Sequence, residues 1–249
     1  MDFKLLKSKS LLLTLILSLS VGGLIIKNPP SNILSWDVYG HYLYLPSIFI
    51  HDDPYYERMD VYYELNEQYH SLDTFYALYQ VENGNGRQYN KFSVGFSFLM
   101  SPFFAIGHWL TPLTDYPQDG FSKPYQYAIA FGCWFYFVLG LFFLNAVLRK
   151  LFKEWLVMLL LLLGVLATNL GYYGVYGLGM VHGVLFGLYA MLLYFTMAWY
   201  DRPTMKSAIM IAVSFGLMSL TRPSEIIAIL IPLFWGMKGV NKAALKERW

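Results

Sequence analysis

The sequence predicts an all-α polytopic membrane protein of about six transmembrane helices, with a large external first loop that contains interfacial helices. Three observations carry this reading. Hydrophobic residues make up 57% of the 249-residue chain and charged residues only 14%, with a mean hydropathy of +0.42, well above the composition of soluble domains. The apolar residues gather in stretches of membrane-spanning length. Lys and Arg collect in the turns that alternate with the acidic loop.

The first apolar run, Leu11 to Ile26, follows Lys4, Lys7 and Lys9. A secretory signal peptide has a similar layout, but this run is long for a signal core. It ends in Lys27-Asn28-Pro29-Pro30, with no small-x-small cleavage pattern. An uncleaved first span over residues 8–26 is the expectation. Further spans are expected near 125–148, 155–171, 181–199, 205–220 and 224–238, all within a single transmembrane domain covering 1–249. Six spans put both termini on one side. The N-terminus, the 149–153 and 202–206 turns and the tail after Met237 hold 12 of the 18 Lys and Arg. The positive-inside bias therefore makes them cytoplasmic, in an inner membrane. Residues 27–123 carry 11 acidic residues against 5 basic ones and fall on the external side.

Within that loop, Val38, Tyr42, Leu45 and Phe49 share one helical stripe, and Asp37, His41, Tyr44 and Ile48 another. The pattern predicts a short interfacial helix over 37–49, with Tyr39, Tyr42 and Tyr44 at headgroup depth as an aromatic lining. Tyr79 to Asn90, with Asn83-Gly84-Asn85-Gly86, reads as a flexible turn. Phe92 to Leu110 is apolar and nearly long enough to span, but Pro102, Gly107 and His108 interrupt it. A full crossing would also invert the positive-inside bias of every later loop, so a re-entrant or interfacial helix is expected.

A net charge of +2 leaves no basic surface of the size that nucleic-acid binding needs. The single Cys133 lies in an apolar run, which excludes an internal disulfide or a CxxC site. Four places carry candidate chemistry. Asp37 is a carboxylate among aromatics at the membrane boundary, a setting for a general base, and also a preferred residue for a helix N-cap. His51, Asp52 and Asp53 precede Pro54, as a candidate divalent-cation or acceptor site or as an ordinary turn. Arg222, beside a hydrophobic span, needs an anionic partner, either a lipid phosphate or Glu225 three residues on. His182 opens the fourth span next to Tyr172, Tyr173 and Tyr176, as a ligand or as a packed histidine. Asp37, Asp52, His182 and Arg222 all fall on one membrane face and would line a single cavity.

Several of these segments resemble a known family. A first span followed at once by Trp36-Asp37-Val38-Tyr39-Gly40 and an aromatic helix is similar to the N-terminal part of the GT-C glycosyltransferases, polytopic enzymes that use polyprenyl-phosphate sugars. Tyr89-Asn90-Lys91-Phe92-Ser93-Val94-Gly95, Leu99 to Phe104, Asp119-Gly120-Phe121-Ser122 and Pro124-Tyr125-Gln126 resemble the loop helix and second-span entry of the mannosyltransferase-like and aminoarabinose-transferase-like branch. Lys91-Phe92-Ser93-Val94 departs from the Tyr-Pro pair common there. Asn169 to His182 and Leu220 to Pro223 resemble later segments. The resemblance implies Asp37 as catalytic base, Arg222 and His182 as donor-phosphate residues, and Asp52 or Asp53 near an acceptor or a metal. It implies a polyprenyl-phosphate-linked sugar and membrane lipids as partners, and a divalent cation is the one cofactor candidate. Such enzymes usually carry additional spans beyond the point matching Trp249, so the chain is expected to be an N-terminal portion or to need a partner subunit that supplies the missing helices.

Two other classes stand beside this. One is a non-catalytic membrane subunit or flippase-like component of cell-envelope polysaccharide assembly, which would bind lipid-linked sugar without needing Asp37 as a base. The other is a transporter. It fits least, because transporters place polar groups near the midplane, whereas here only Asn145 and Asn169 enter the spans, toward their ends.

Overall fold

The computed structural model describes residues 8–29, 32–69, 77–80 and 87–235. The fold is almost wholly helical. Helix α1 (Lys9–Lys27) leads into two short helices, α2 (Asp37–Tyr42) and α3 (Tyr44–Phe49), then α4 (Met59–Tyr69), a two-stranded hairpin and α5 (Gly95–Leu110). The long α6 (Lys123–Leu151), α7 (Glu154–Leu166), α8 (Asn169–Val175), α9 (Val181–Asp201) and α10 (Met205–Thr221) follow, and then a 3₁₀ turn, Pro223–Ile229, running into α11 (Leu230–Phe234). Three of these, α1, α6 and α9, are long and apolar enough to cross a membrane, and the bent pair α7–α8 brings the number to four if counted as one span.

The bundle is organised around α6, which packs on α1, α5, α7 and α9. Polar groups join the elements at one end: the Ser8 hydroxyl and Ser10 N–H donate to the Glu154 carboxylate at 2.8 and 2.7 Å, and Lys150 pairs with Asp201 at 2.7 Å. Inside the bundle, buried Asn145 donates to Thr14 Oγ1 at 2.8 Å and Trp134 Nε1 donates to the Ser18 carbonyl at 3.1 Å, so these donors within the apolar helices find partners in the protein.

Helix lengths create a step at the other end. At 1.5 Å per residue, the 29 residues of α6 span about 43 Å and the 21 of α9 about 31 Å. With their far ends joined through Lys150 and Asp201, α6 overshoots α9 by roughly 12 Å. Helix α5 occupies the step, antiparallel to α6. Gly107 lies against Pro124 and Tyr125, Phe103 and Met100 against Gly132, and Tyr136 Oη donates to the Leu99 carbonyl at 3.3 Å. The descent ends where Gly95 meets the last turn of α10. A β-carbon there would lie 2.3 Å from Thr221 N and 2.4 Å from Leu220 C, so glycine is what permits the contact. The described α5 thus runs along the step from the start of α6 to the end of α10.

Four expectations need correction. The 37–49 helix is two helices broken at Leu43. Pro46 has no N–H for the Tyr42 carbonyl four residues earlier, and Ser97 Oγ serves that carbonyl at 3.3 Å and the His41 carbonyl at 2.6 Å. The tyrosines there are not a headgroup lining: Tyr39 and Tyr42 are buried against Phe121, and half-buried Tyr44 donates to the Phe92 carbonyl at 2.6 Å. Residues 79–90 are not simply a turn, since Leu78–Gln80 and Gln88–Asn90 pair antiparallel; Asn83 to Gly86 lie outside the described residues. The 155–171 span bends by 63° between α7 and α8. Thr168 caps α8 by accepting from Leu170 N at 3.1 Å, and a β-carbon on Gly171 would lie 2.1 Å from the Val165 carbonyl. The basic tail expected after Met237 lies outside the described residues.

Gly95→Ala should lower the thermal midpoint of the detergent-solubilised chain by a shift corresponding to about 1–3 kcal/mol, the usual cost of overpacking. Gly23→Ala, with nothing within 4 Å of its added carbon, should leave the midpoint unchanged or raise it.

Candidate functional site

A cavity of about 400 Å³ opens at the step, between the starts of α2, α5 and α9 and the end of α10. Helix α2 contributes Asp37, Val38 and His41, and the segment entering α5 contributes Lys91, Phe92 and Ser93. The α9 entry adds Met180, Val181 and His182, and the α10 exit adds Thr221, Arg222, Pro223 and Ser224. Asp37 is its one carboxylate, set against Lys91 and Arg222, so the lining carries a net positive charge even with both histidines neutral.

Local chemistry explains each placement. The α2 and α5 segments are tied together by Asn90, whose Nδ2 donates to the Gly40 carbonyl at 2.7 Å while its Oδ1 accepts from Phe92 N at 3.0 Å. Gly40 is needed because the Phe92 ring lies where a β-carbon would be, 2.1 Å away at its closest atom. His41 stacks at a tilt on Phe92, with centroids 4.7 Å apart, and its Nδ1 lies 3.2 Å from the Ser93 carbonyl. A carbonyl only accepts, so Nδ1 carries the proton. Burial, first, and Arg222 push the His41 pKa below its ordinary 6.5, against the raising effect of the Ser93 bond and Asp37.

Asp37 is not the N-cap of α2. Trp36 holds that position, with φ +54° and no side-chain capping bond, and Asp37 is the first helical residue. Its half-buried carboxylate makes no hydrogen bond or ion pair among the described residues. Arg222 reaches Glu225 at 3.9 Å, while Tyr189 Oη donates to the other Glu225 oxygen at 2.5 Å. The internal pairing exists but is long, and Arg222 still faces the cavity. His182 stacks on Tyr173 at 4.4 Å between centroids.

Of the residues expected to share one cavity, Asp37, His182 and Arg222 do so and Asp52 does not. His51, Asp52 and Asp53 sit beyond α3. Asp53 is 5% exposed, and its carboxylate accepts from Glu57 N and Arg58 N at 2.8 and 2.9 Å, so it organises a turn. Asp52 has φ +50°, and His51 packs edge-on against Tyr62. No group of three or more His, Cys, Asp or Glu suited to a metal ion occurs among the described residues. Sequence reading gave no site role to Lys91 or His41. The available signal was that Lys91 is the one cation between Arg87 and Lys123, directly ahead of an apolar helix.

Two features favour an anionic ligand. Helices α5 and α9 both start beside the cavity with hydrophobic N-caps, Val94 and Met180, and no side-chain capping bond. Their first N–H groups and positive dipole ends are therefore left uncapped by side chains. Arg222, with its planar fork of donors, stands between them in the lining. No family model, curated protein or solved structure matches the chain.

A pH titration of thermal stability follows from the buried histidines. Lowered pKa values at His41 and His51, in both cases chiefly through burial, mean that the unfolded chain binds more protons as the pH drops below 6.5. Stability present above that pH is lost as it falls. The midpoint should decline between pH 7 and 5, with a shallower decline in His41→Gln.

Proposed function

We propose that the chain belongs to a membrane glycosyltransferase of the GT-C kind, which moves sugar from a polyprenyl-phosphate donor to an acceptor outside the cytoplasmic membrane. The observation that carries this reading is the meeting of Asp37, a carboxylate without a partner among the described residues, with Arg222, Lys91 and His182 in a single cavity at the step. Transfer from a lipid phosphate to an alcohol needs both a base and a cation. The base removes the hydroxyl proton as the acceptor oxygen bonds to the anomeric carbon, and the cation holds the charge on the phosphate as the sugar–phosphate bond breaks.

In this reading Asp37 takes the acceptor proton and the sugar is transferred with inversion. Arg222, Lys91 and the uncapped starts of α5 and α9 hold the phosphate, and His182 positions it. Helix α10 and the 3₁₀–α11 segment serve as the remaining crossings of a six-span chain. The basic ends, including the Lys150–Asp201 turn region, face the cytoplasm, and the cavity and loop face outward.

Membranes holding the full chain and a pool of radiolabelled polyprenyl-phosphate sugars test this. Asp37→Asn should lower transfer at least 100-fold at equal expression, the scale of a lost general base. Arg222→Gln should raise KM for the donor and lower kcat. Undiminished transfer in Asp37→Asn removes the base assignment. Absence of transfer from the native chain, with donor still bound in an Arg222-dependent way, favours the non-catalytic lipid-sugar-binding subunit.

A further inference from the structure

A second recess of about 160 Å³ adjoins the cavity and shares Val38 and Met180 with it. Three large rings line it: Trp36, Tyr172 and Tyr176, 61%, 57% and 74% exposed. Leaving three big aromatic side chains uncovered around one concavity is costly in water unless something is stacked there. The indole N–H of Trp36 and the hydroxyls of both tyrosines bond to no group among the described residues.

The rings form a path into the cavity. Tyr176 lies 6.2 Å from Tyr172, Tyr172 lies 5.4 Å from Tyr173, and Tyr173 lies 4.4 Å from His182 in the cavity wall, all centroid to centroid. Trp36 is also held in place by its backbone. It sits at φ +54°, ψ −135°, a conformation that a bulky residue avoids and that persists only where the surroundings impose it. That conformation has two geometric results: Trp36 stands at the recess, and the next residue, Asp37, opens α2 in the cavity.

We propose that the recess formed by Trp36, Tyr172 and Tyr176 is a carbohydrate subsite, which stacks one sugar ring beside Asp37. Flat aromatic faces, negative at the centre, suit the C–H face of a pyranose, and the unpartnered N–H and O–H tips suit its hydroxyls. A membrane-anchoring belt would explain aromatic residues but not a concavity continuous with the polar cavity. The proposal rests on the reading above only in taking sugar as the substrate class.

Saturation-transfer NMR on the full chain in lipid nanodiscs tests it, with methyl glucoside, galactoside, mannoside and N-acetylglucosaminide as probes. At least one probe should receive saturation on its ring protons. Trp36→Ala and Tyr176→Ala should weaken that signal at least fivefold and Tyr172→Phe, which keeps the ring and removes one hydroxyl, less than that, whereas Gly23→Ala, with open space around its added carbon, stays within twofold of native. Displacement of the probe by a farnesyl-phosphate-linked sugar would identify the bound ring as the donor's, and persistence would identify it as the acceptor's. No saturation of any probe by the native chain overturns the proposal. Equal saturation in Trp36→Ala, with poorer retention in nanodiscs, also overturns it and assigns the rings to anchoring. Sugar binding without transfer would keep the subsite and remove the catalytic reading, while transfer lost in Asp37→Asn without sugar binding would do the reverse.

Discussion

The close approach of Gly95 to the last turn of α10 is the contact on which the rest of the architecture depends. Helix α6 is longer than its neighbours, and an unfilled step would leave the backbone ends of α9 and α10 facing either lipid or water. Helix α5 fills it, and it can descend that far only because Gly95 presents no side chain to Thr221 and Leu220. Its descent brings Lys91 to Ser93 down to Arg222. Asn90 and Ser97 then fasten α2 to the same segment, so Asp37 arrives at the cavity by way of α5 rather than through α1.

The electrostatic character of the site is a consequence of that docking. Helix starts and cations converge from several parts of the chain on one volume, while Asp53, Glu57 and Asp119 of the loop are engaged elsewhere. Asp53 caps a turn, and Asp119 accepts from Phe121 N, Ser122 N and the Tyr69 hydroxyl. Glu225 is engaged by Tyr189. Asp37 alone enters the cavity as a carboxylate without a protein partner among the described residues, and this sets it apart from an ordinary structural aspartate.

Much of the apolar helical framework was legible because hydropathy is a local property: α1, α6 and α9, the three helices long and apolar enough to cross a membrane, and the shorter α10 fall within a few residues of the expected stretches. The bend at Thr168 was not, since an averaged window does not register a cap and a glycine against a carbonyl. Periodicity identified the apolar stripes of 37–49 but could not tell lipid from protein as the neighbour. Tyr39 and Tyr42 are buried by Phe121, some 80 residues later in the chain. Asp37, His182 and Arg222 were readable as polar groups at span ends. His41 and Lys91 were not, because their place in the site comes from the long-range clasp of Asn90 and Ser93 onto α2.

Cross-linking tests the central claim, that the loop is docked so that α2 and the α10 exit share one cavity. In a Cys133→Ala background, with a protease site placed within residues 82–86, Asp37→Cys and Arg222→Cys are combined and treated with a short bifunctional thiol reagent. The two halves should stay joined after cleavage, as they should for the Ser10→Cys and Glu154→Cys pair at the opposite end. Halves that separate for the first pair while the second holds would contradict the account.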